Sequence, residues 1–319
     1  MAARGPATLS RRTTMILSHR SGDERADRRA AYAEDYARAR DFAAAADLMR
    51  QALELAPRWT LGRLRLANFL EEAGDLAGAL ALYADIRAED EGDPYGAGLK
   101  IAALGAGEAP AAPSPAFVAG LFDQYAEGFE AALVGRLEYR APDAIAGMIA
   151  RVAGPSARFA HAMDLGCGTG LMGARLRALC DRLDGIDLSA GMLEVARRKR
   201  LYDTLREGDI VEALREDGPA FDLATAADVL TYLGDLSPVF SALAPRLSPG
   251  GLFAFTVEAD DAAGAYAIQP SLRYAHAPAL LAALGRDLGF ALLAEERLVL
   301  RRDRGEPVHG AAMLLRRIG

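Results

Sequence analysis

The chain has 319 residues, about half of them apolar, and a formal net charge of -7. That length is enough for two domains, and the acidic balance argues against non-specific nucleic-acid binding, which needs a basic surface. No stretch approaches the roughly 18 apolar residues of a membrane helix, and the two cysteines, Cys167 and Cys180, stand in no metal or redox spacing, as expected of a reduced, cytoplasmic protein.

Residues 1–22 carry Arg4, Arg11, Arg12 and Arg20 but no acid. They lack the amphipathic helix of a transit peptide and the apolar core of a secretion signal, so a disordered tail is expected. Patterned sequence begins near Asp23, which makes Met15 an alternative start. Residues 23–104 repeat: Phe42 matches Leu76, Ala45 matches Ala79, Met49 matches Tyr83 and Ala52 matches Ile86. The common spacing, about 34 residues, is that of tetratricopeptide (TPR) helical pairs, in which small residues let helices pack closely. Two such units bury little surface by themselves. They are expected to pack on the rest of the chain, on a protein partner, or on a second copy. A further helix is expected near Tyr95–Leu104. Residues 105–115, with Pro110, Pro113 and Pro115, read as an interdomain linker.

Residues 116–319 form the second domain. Phe117, Leu121, Phe122, Tyr125 and Phe129 share one helix face. Beyond them strands alternate with helices, the mark of a largely parallel sheet covered on both faces. The expected strands end at Asp164, Asp187, Asp209 and Asp228, and a fifth, Leu252–Val257, comes after the turn Ser248-Pro249-Gly250-Gly251. A helix opens near Pro278 and stops at Gly289. The last two strands, near Leu292–Leu300 and Val308–Leu315, have a connection too short for anything but an antiparallel hairpin. The expected fold is therefore α/β: a seven-stranded, doubly wound Rossmann-like sheet with an antiparallel last strand, preceded by an all-α repeat domain.

Within the first βα turn stands Asp164-Leu165-Gly166-Cys167-Gly168-Thr169-Gly170. The glycines allow a cofactor to approach the backbone, and Asp187 at the next strand end can take both hydroxyls of a ribose. The third glycine comes one position early for a dinucleotide fingerprint. An acid at Asp164 repels a pyrophosphate but suits a cation. S-adenosylmethionine (SAM), with its ammonium and sulfonium, fits that charge better than NAD. An ordinary strand-to-helix turn without ligand is the plain alternative.

The loop and its flanking elements resemble the class I SAM-dependent methyltransferases over about residues 115–319. The resemblance implies that the backbone of Gly166, Gly168 and Gly170 lies along the methionine part of SAM, near Asp164. It implies that Asp187 holds the ribose, that Leu188, Met192 and Ile210 flank the adenine, and that Asp209 accepts the adenine amino group; Asp209 reads equally as a helix N-cap. Tyr125 matches an aromatic hydroxyl on a lid helix, and Asp228 closes the row of strand-end acids. On the acceptor side, Tyr232 comes after strand four and Tyr274 and His276 after strand five. His276 is a candidate base, and a solvent-exposed loop histidine is the alternative. Asp228-Val229-Leu230-Thr231 lacks the Asn/Asp-Pro-Pro-aromatic tetrapeptide of nucleic-acid amino-methylating enzymes. With Ser21-Gly22-Asp23, Ala26-Asp27-Arg28-Arg29 and Leu121-Phe122-Asp123-Gln124-Tyr125-Ala126, the whole chain resembles a bacterial group described as predicted methyltransferases with TPR repeats. That resemblance leaves the acceptor open; the leading expectation is methyl transfer from SAM to a small molecule. A protein methyltransferase recruiting its target through the repeats, and a non-catalytic SAM-binding scaffold, are the competing expectations. No metal, membrane or nucleic acid is expected to take part.

Overall fold

The computed structural model describes residues 20–124, 126, 128, 130, 138–303 and 305–318. The expected tail, Met15 and Tyr125 lie outside or almost wholly outside these. The chain divides into two compact units, residues 1–86 and 87–319.

The first unit is built of helices α1 (Glu24–Arg38), α2 (Phe42–Leu55), α3 (Thr60–Ala73) and most of α4 (Leu76–Glu89). The 34-residue period reappears in three dimensions. Asp41 and Asp75 stand at equivalent helix starts, their carboxylates accepting from Ala44 N (3.1 Å) and Gly78 N (2.9 Å). Ala45, Met49 and Ala52 in one repeat, and Ala79, Tyr83 and Ile86 in the next, are all buried. The buried Tyr83 hydroxyl finds polar partners in Asn68 and Glu71 of α3, both at 2.7 Å.

The second unit opens with α5 (Ala97–Ala103) and α6 (Pro115–Asp123). Residues 105–115, expected as a free linker, belong to this unit. Ala111 O accepts from Gly234 N (2.8 Å) and Asp235 N (3.0 Å), and Tyr274 Oη donates to Pro110 O at 2.6 Å. A Pro-rich stretch with few backbone donors can still be pinned by its carbonyls, which composition does not reveal.

After α7 (Ala141–Ala153) come β1 (Phe159–Leu165), α8 (Leu171–Leu176), β2 (Cys180–Asp187), α9 (Ala190–Lys199), β3 (Thr204–Glu207), α10 (Ile210–Arg215), β4 (Phe221–Ala226), α11 (Ser237–Leu243) and β5 (Leu247–Ala259). A short hairpin, β6 (Ala267–Ile268) and β7 (Tyr274–His276), precedes α12 (Pro278–Asp287), β8 (Phe290–Asp303) and β9 (Glu306–Arg317). The sheet runs β3-β2-β1-β4-β5, all parallel, and then β9, antiparallel to β5, with β8 antiparallel to β9. Those seven strands are the expected sheet. The two added strands, β6 and β7, attach at Glu258 and Ala259 of β5. They are too short to leave a period-two signal.

Alternation along the strands feeds two cores. Phe253, Phe255 and Val257 of β5 and Ala311, Met313 and Leu315 of β9 point to one face; Leu252, Ala254, Ala312 and Leu314 point to the other. Phe240 of α11 meets Phe253, Phe255 and Phe290 edge-to-face at 5.6–5.9 Å. Each fully buried Phe contributes roughly 1.5–3 kcal/mol by transfer alone. This rigid block holds the C-terminal ends of the parallel strands, where ligands of open α/β sheets bind. Among the described residues no helix is long and apolar enough to cross a membrane.

Candidate active site

The turn after β1 is made by backbone that side chains disfavour. Gly166 has φ +64°, and a Cβ there would lie 2.5 Å from Val229. Gly168, at φ +52°, would place a Cβ in open space. The loop is anchored from β2: Cys167 N donates to Ile186 O at 2.9 Å and Gly168 N to Asp187 Oδ2 at 2.8 Å. Asp187 Oδ1 accepts from Ser189 N at 2.9 Å, so one carboxylate ties the glycine loop to the start of α9. Burial pushes the Asp187 carboxyl up, and its hydrogen bonds to Ser189 and Gly168 oppose that. Ser189 caps α9 through Met192 N (3.0 Å) and donates to Asp123 Oδ1 (2.5 Å) at the end of α6. Asp123 also accepts from Gly191 N at 3.0 Å, which pins α6 beside the site.

These elements enclose a cavity of about 960 Å³, near the top of the usual range for small-molecule sites. Gly166, Gly168 and Asp187 line it, as do Leu188, Met192 and Ile210. Asp209 lines it too, and caps α10 with Oδ1 accepting from Val211 N (2.8 Å) and Glu212 N (3.0 Å). Its cap role and its place at the cavity wall are compatible, because Oδ2 has no hydrogen bond among the described residues. Thr169 Oγ1 also faces the cavity region, buried and without a partner among the described residues.

Four expected site residues are not on the cavity wall. Asp164 is buried at 1% exposure and is not part of the cavity wall. Tyr202 Oη donates to its Oδ2 at 2.7 Å and Thr225 Oγ1 to its Oδ1 at 2.9 Å. Burial raises its pKa to about 7, against the effect of those two hydroxyls. His276, expected as a loop base, is fully buried in β7; its Nε2 lies 2.9 Å from Gly234 O, and burial lowers its pKa. Tyr274 is likewise buried and spends its hydroxyl on Pro110 O. The cause is the β6–β7 hairpin, which turned an expected polar loop into core. Gly170, at φ +88°, starts α8 and is not on the wall. Tyr125 lies outside the described residues.

Tyr232 and Asp228 do line the cavity. Asp228 takes the left-handed φ of +59°, and both its carboxylate oxygens accept from Arg301 Nη1, at 2.6 and 2.7 Å. Arg301 Nη2 donates to Glu258, and the guanidinium is 2% exposed. Tyr139 Oη donates to Ala227 O at 3.2 Å, and its pKa is pushed up by burial and by the Asp228 charge. Arg273 Nε donates to Tyr232 Oη at 3.1 Å and the guanidinium lies 5.6 Å over the Tyr232 ring. Phe122 of α6 meets Tyr232 edge-to-face at 5.2 Å. Tyr139, Arg273, Arg301 and Asp303 were not legible as site residues. They come from a helix approach, a turn and the far end of β8, with no shared local pattern.

A glycine loop and a strand-end acid on a β3-β2-β1-β4-β5 sheet followed by an antiparallel strand make a Rossmann-like sheet of the methyltransferase kind. Residues 163–253 match the family model described as a methyltransferase domain, and residues 36–102 match a tetratricopeptide repeat. The chain thus joins tetratricopeptide repeats to a methyltransferase domain. Among curated proteins it is 36% identical over 99 residues to malonyl-[acyl-carrier protein] O-methyltransferase of Salmonella typhimurium, covering 31% of this chain and 39% of that protein. It is 33% identical over 124 residues to the ubiquinone biosynthesis O-methyltransferase of Xanthomonas campestris pv. campestris, covering 37% and 51%. The chain therefore spans about half or less of the length of these relatives. Two solved structures share the fold at 19% identity. One is the Burkholderia thailandensis 1,6-didemethyltoxoflavin-N1-methyltransferase with bound 1,6-didemethyltoxoflavin and S-adenosylhomocysteine (TM-score 0.51, 67% of this chain, 94% of that one). The other is the [4+2]-cyclase SpnF (TM-score 0.52, 66% and 98%).

Proposed function

We propose that the protein transfers a methyl group from SAM to a small-molecule acceptor by in-line displacement. The observation that carries this reading is the double anchoring of Asp187. Two of its roughly four acceptor sites serve Gly168 N and Ser189 N, and the others are left for a vicinal diol. In this reading Asp187 binds the ribose hydroxyls, while Leu188, Met192 and Ile210 pack on the adenine. Asp209 Oδ2 accepts the adenine amino group, and the open space at Gly168 admits the methionine part. The unpartnered Thr169 hydroxyl supports a polar ligand at the loop. Asp164 acts behind the loop, holding Tyr202 and Thr225, and not on the ligand.

Bound SAM supplies a methyl group already activated on a sulfonium, so proximity and alignment supply most of the rate. Phe122 and the rest of α6 exclude water from one side, and Tyr232 and Tyr139 shape the acceptor end. Tyr139 and Tyr232 are held protonated by burial. Both curated relatives are O-methyltransferases by name, which supports oxygen as the accepting atom.

A second reading, a protein acceptor recruited by the repeats, has support in Tyr32 and Tyr36, which stand 60% and 46% exposed on α1. That the cyclase SpnF shares this fold keeps a use without methyl transfer in play. Incubating the full chain with methyl-labelled SAM and cell extract separates the three. Label in the low-mass fraction supports the proposal, and label in protein supports the second reading. Binding heat without any label supports a scaffold, and no heat at millimolar SAM ends all three.

A further inference from the structure

We propose that Arg273 recognises a carboxylate on the acceptor, so that the acceptor is an acid with an apolar, ring-sized body. This rests on the reading of the cavity as a methyl-transfer site. The acceptor would occupy the half of the cavity beyond the strand ends of β4 and β5.

Among the described residues two guanidinium groups line the cavity, and they differ. Arg301 is committed: both terminal nitrogens donate to buried carboxylates, Nη1 to Asp228 and Nη2 to Glu258. Arg273 is not. Its Nε donates to Tyr232 Oη, but its Nη1 stands 3.9 Å from Glu258 and 3.8 Å from Asp303, beyond hydrogen-bond length. Of its five N–H donors, four have no hydrogen bond among the described residues. The side chain is 24% exposed and lines the cavity. Such a half-desolvated fork calls for an acceptor, and a planar carboxylate is its geometric complement.

The turn that presents Arg273 holds it in one direction. Gln269 N donates to Arg273 O at 2.8 Å, and Leu272 takes φ +62°, so the β6–β7 hairpin delivers Arg273 with its ring-facing contact to Tyr232 already made. Beside it stands the Phe122–Tyr232 edge-to-face pair, and Val118, Leu121 and Pro113 add apolar wall to the same cavity. Among the described residues the charges around Arg273 are Asp228, Glu258 and Asp303 against Arg301. With Asp228 and Glu258 taken by Arg301 and Asp303 nearly half exposed, hydrogen bonding by Arg273, not net charge, decides the preference. Among the described residues a dianion would find one uncommitted cation here, which favours a monoanionic carboxylate over a phosphate. A carboxylic acid is ionised at neutral pH, so its oxygen can form the O–CH3 bond as the S–CH3 bond of SAM breaks, giving a neutral ester and S-adenosylhomocysteine with no proton to remove, consistent with the burial of His276 away from the cavity.

The test uses the full chain saturated with S-adenosylhomocysteine and three matched probes: 2-naphthoate, 2-naphthamide and 2-naphthylmethylamine, titrated calorimetrically. Naphthoate should bind about tenfold or more tighter than the amide, the scale of a charge-assisted hydrogen bond. Arg273→Gln should abolish that preference while S-adenosylhomocysteine affinity changes less than about threefold, and Arg273→Lys should retain part of it. Equal binding of acid and amide, tightest binding of the amine, no binding of any probe at millimolar concentration, or a preference that survives in Arg273→Gln would each overturn the assignment. If S-adenosylhomocysteine itself fails to bind, the cofactor reading falls. The naphthoate preference, measured without it, still judges Arg273.

Discussion

Replacing Asp187 by alanine gives the sharpest test of where the cofactor lies. The wild-type carboxylate accepts from Gly168 N at 2.8 Å and from Ser189 N at 2.9 Å, and its remaining acceptor sites are those assigned to two ribose hydroxyls. Hydrogen bonds to a charged group contribute about 1.5–3 kcal/mol each. Losing two of them at the low end is about 3 kcal/mol, or roughly 150-fold in affinity. Freeing Gly168 from its anchor adds to this, because the loop must then be ordered by the ligand itself. Calorimetric titration of wild type and Asp187→Ala with S-adenosylhomocysteine measures the change, with thermal melts confirming that both are folded. Asp187→Asn keeps one oxygen but turns an amide N–H toward a backbone donor, so it should fall between the two. Affinity of the alanine variant within about threefold of wild type would show that the ribose is not held there.

The same geometry sets four further outcomes. The Asp164 carboxyl, raised from 3.8 to about 7 by burial, binds its proton more tightly folded than unfolded. It therefore favours the folded state at low pH and loses that contribution, at most roughly 4 kcal/mol, as pH rises from about 4 to 7. Asp164→Asn should flatten this loss in urea titrations at pH 5 and 7.5; equal slopes would refute it. Gly166→Ala should destabilise the fold through its clash with Val229 and lower the melting temperature. Gly168→Ala, facing open space, should cost only about 1 kcal/mol of backbone strain while weakening S-adenosylhomocysteine binding more than stability; the reverse ranking would count against the loop geometry. Arg301→Met leaves Asp228 and Glu258 buried without their cation and should cost about 3–5 kcal/mol in denaturant unfolding, and a loss below about 1 would show the triad is weakly coupled. His276→Gln should leave the pH profile of methyl transfer unchanged, because burial disfavours the charged imidazole and Nε2 is bonded to Gly234 O; loss of the acidic limb of the profile would restore it as the base.

The seven-stranded sheet was legible because strands, helices and turns each leave a local period, and the terminal hairpin leaves too few residues for any other connection. That Gly166, Gly168, Asp187, Leu188, Met192, Asp209 and Ile210 would share one cavity wall was legible for the same reason. Each sits at the end of a strand or the start of the next helix, a position that chain order alone assigns to one edge of the sheet. Asp164 shows the limit of that argument. It ends its strand as the others do, but strand order cannot say that Tyr202 and Thr225 would close around it. His276 and Tyr274 looked like polar loop residues because a strand of three residues is too short to alternate. Only its pairing with β5 made that segment core and left Arg273, one residue earlier, at the cavity wall. Arg301 comes from β8, distant in sequence from Asp228, and no local pattern records an ion pair that exists only once the sheet has closed. The amino-acid sequence by itself determined the sheet, the repeats and the strand-end wall of the cavity where the cofactor is proposed to lie, which depend on neighbours along the chain. Tertiary structure alone decided the end of the cavity proposed for the acceptor, because its charges are set by which side chains burial leaves without a partner.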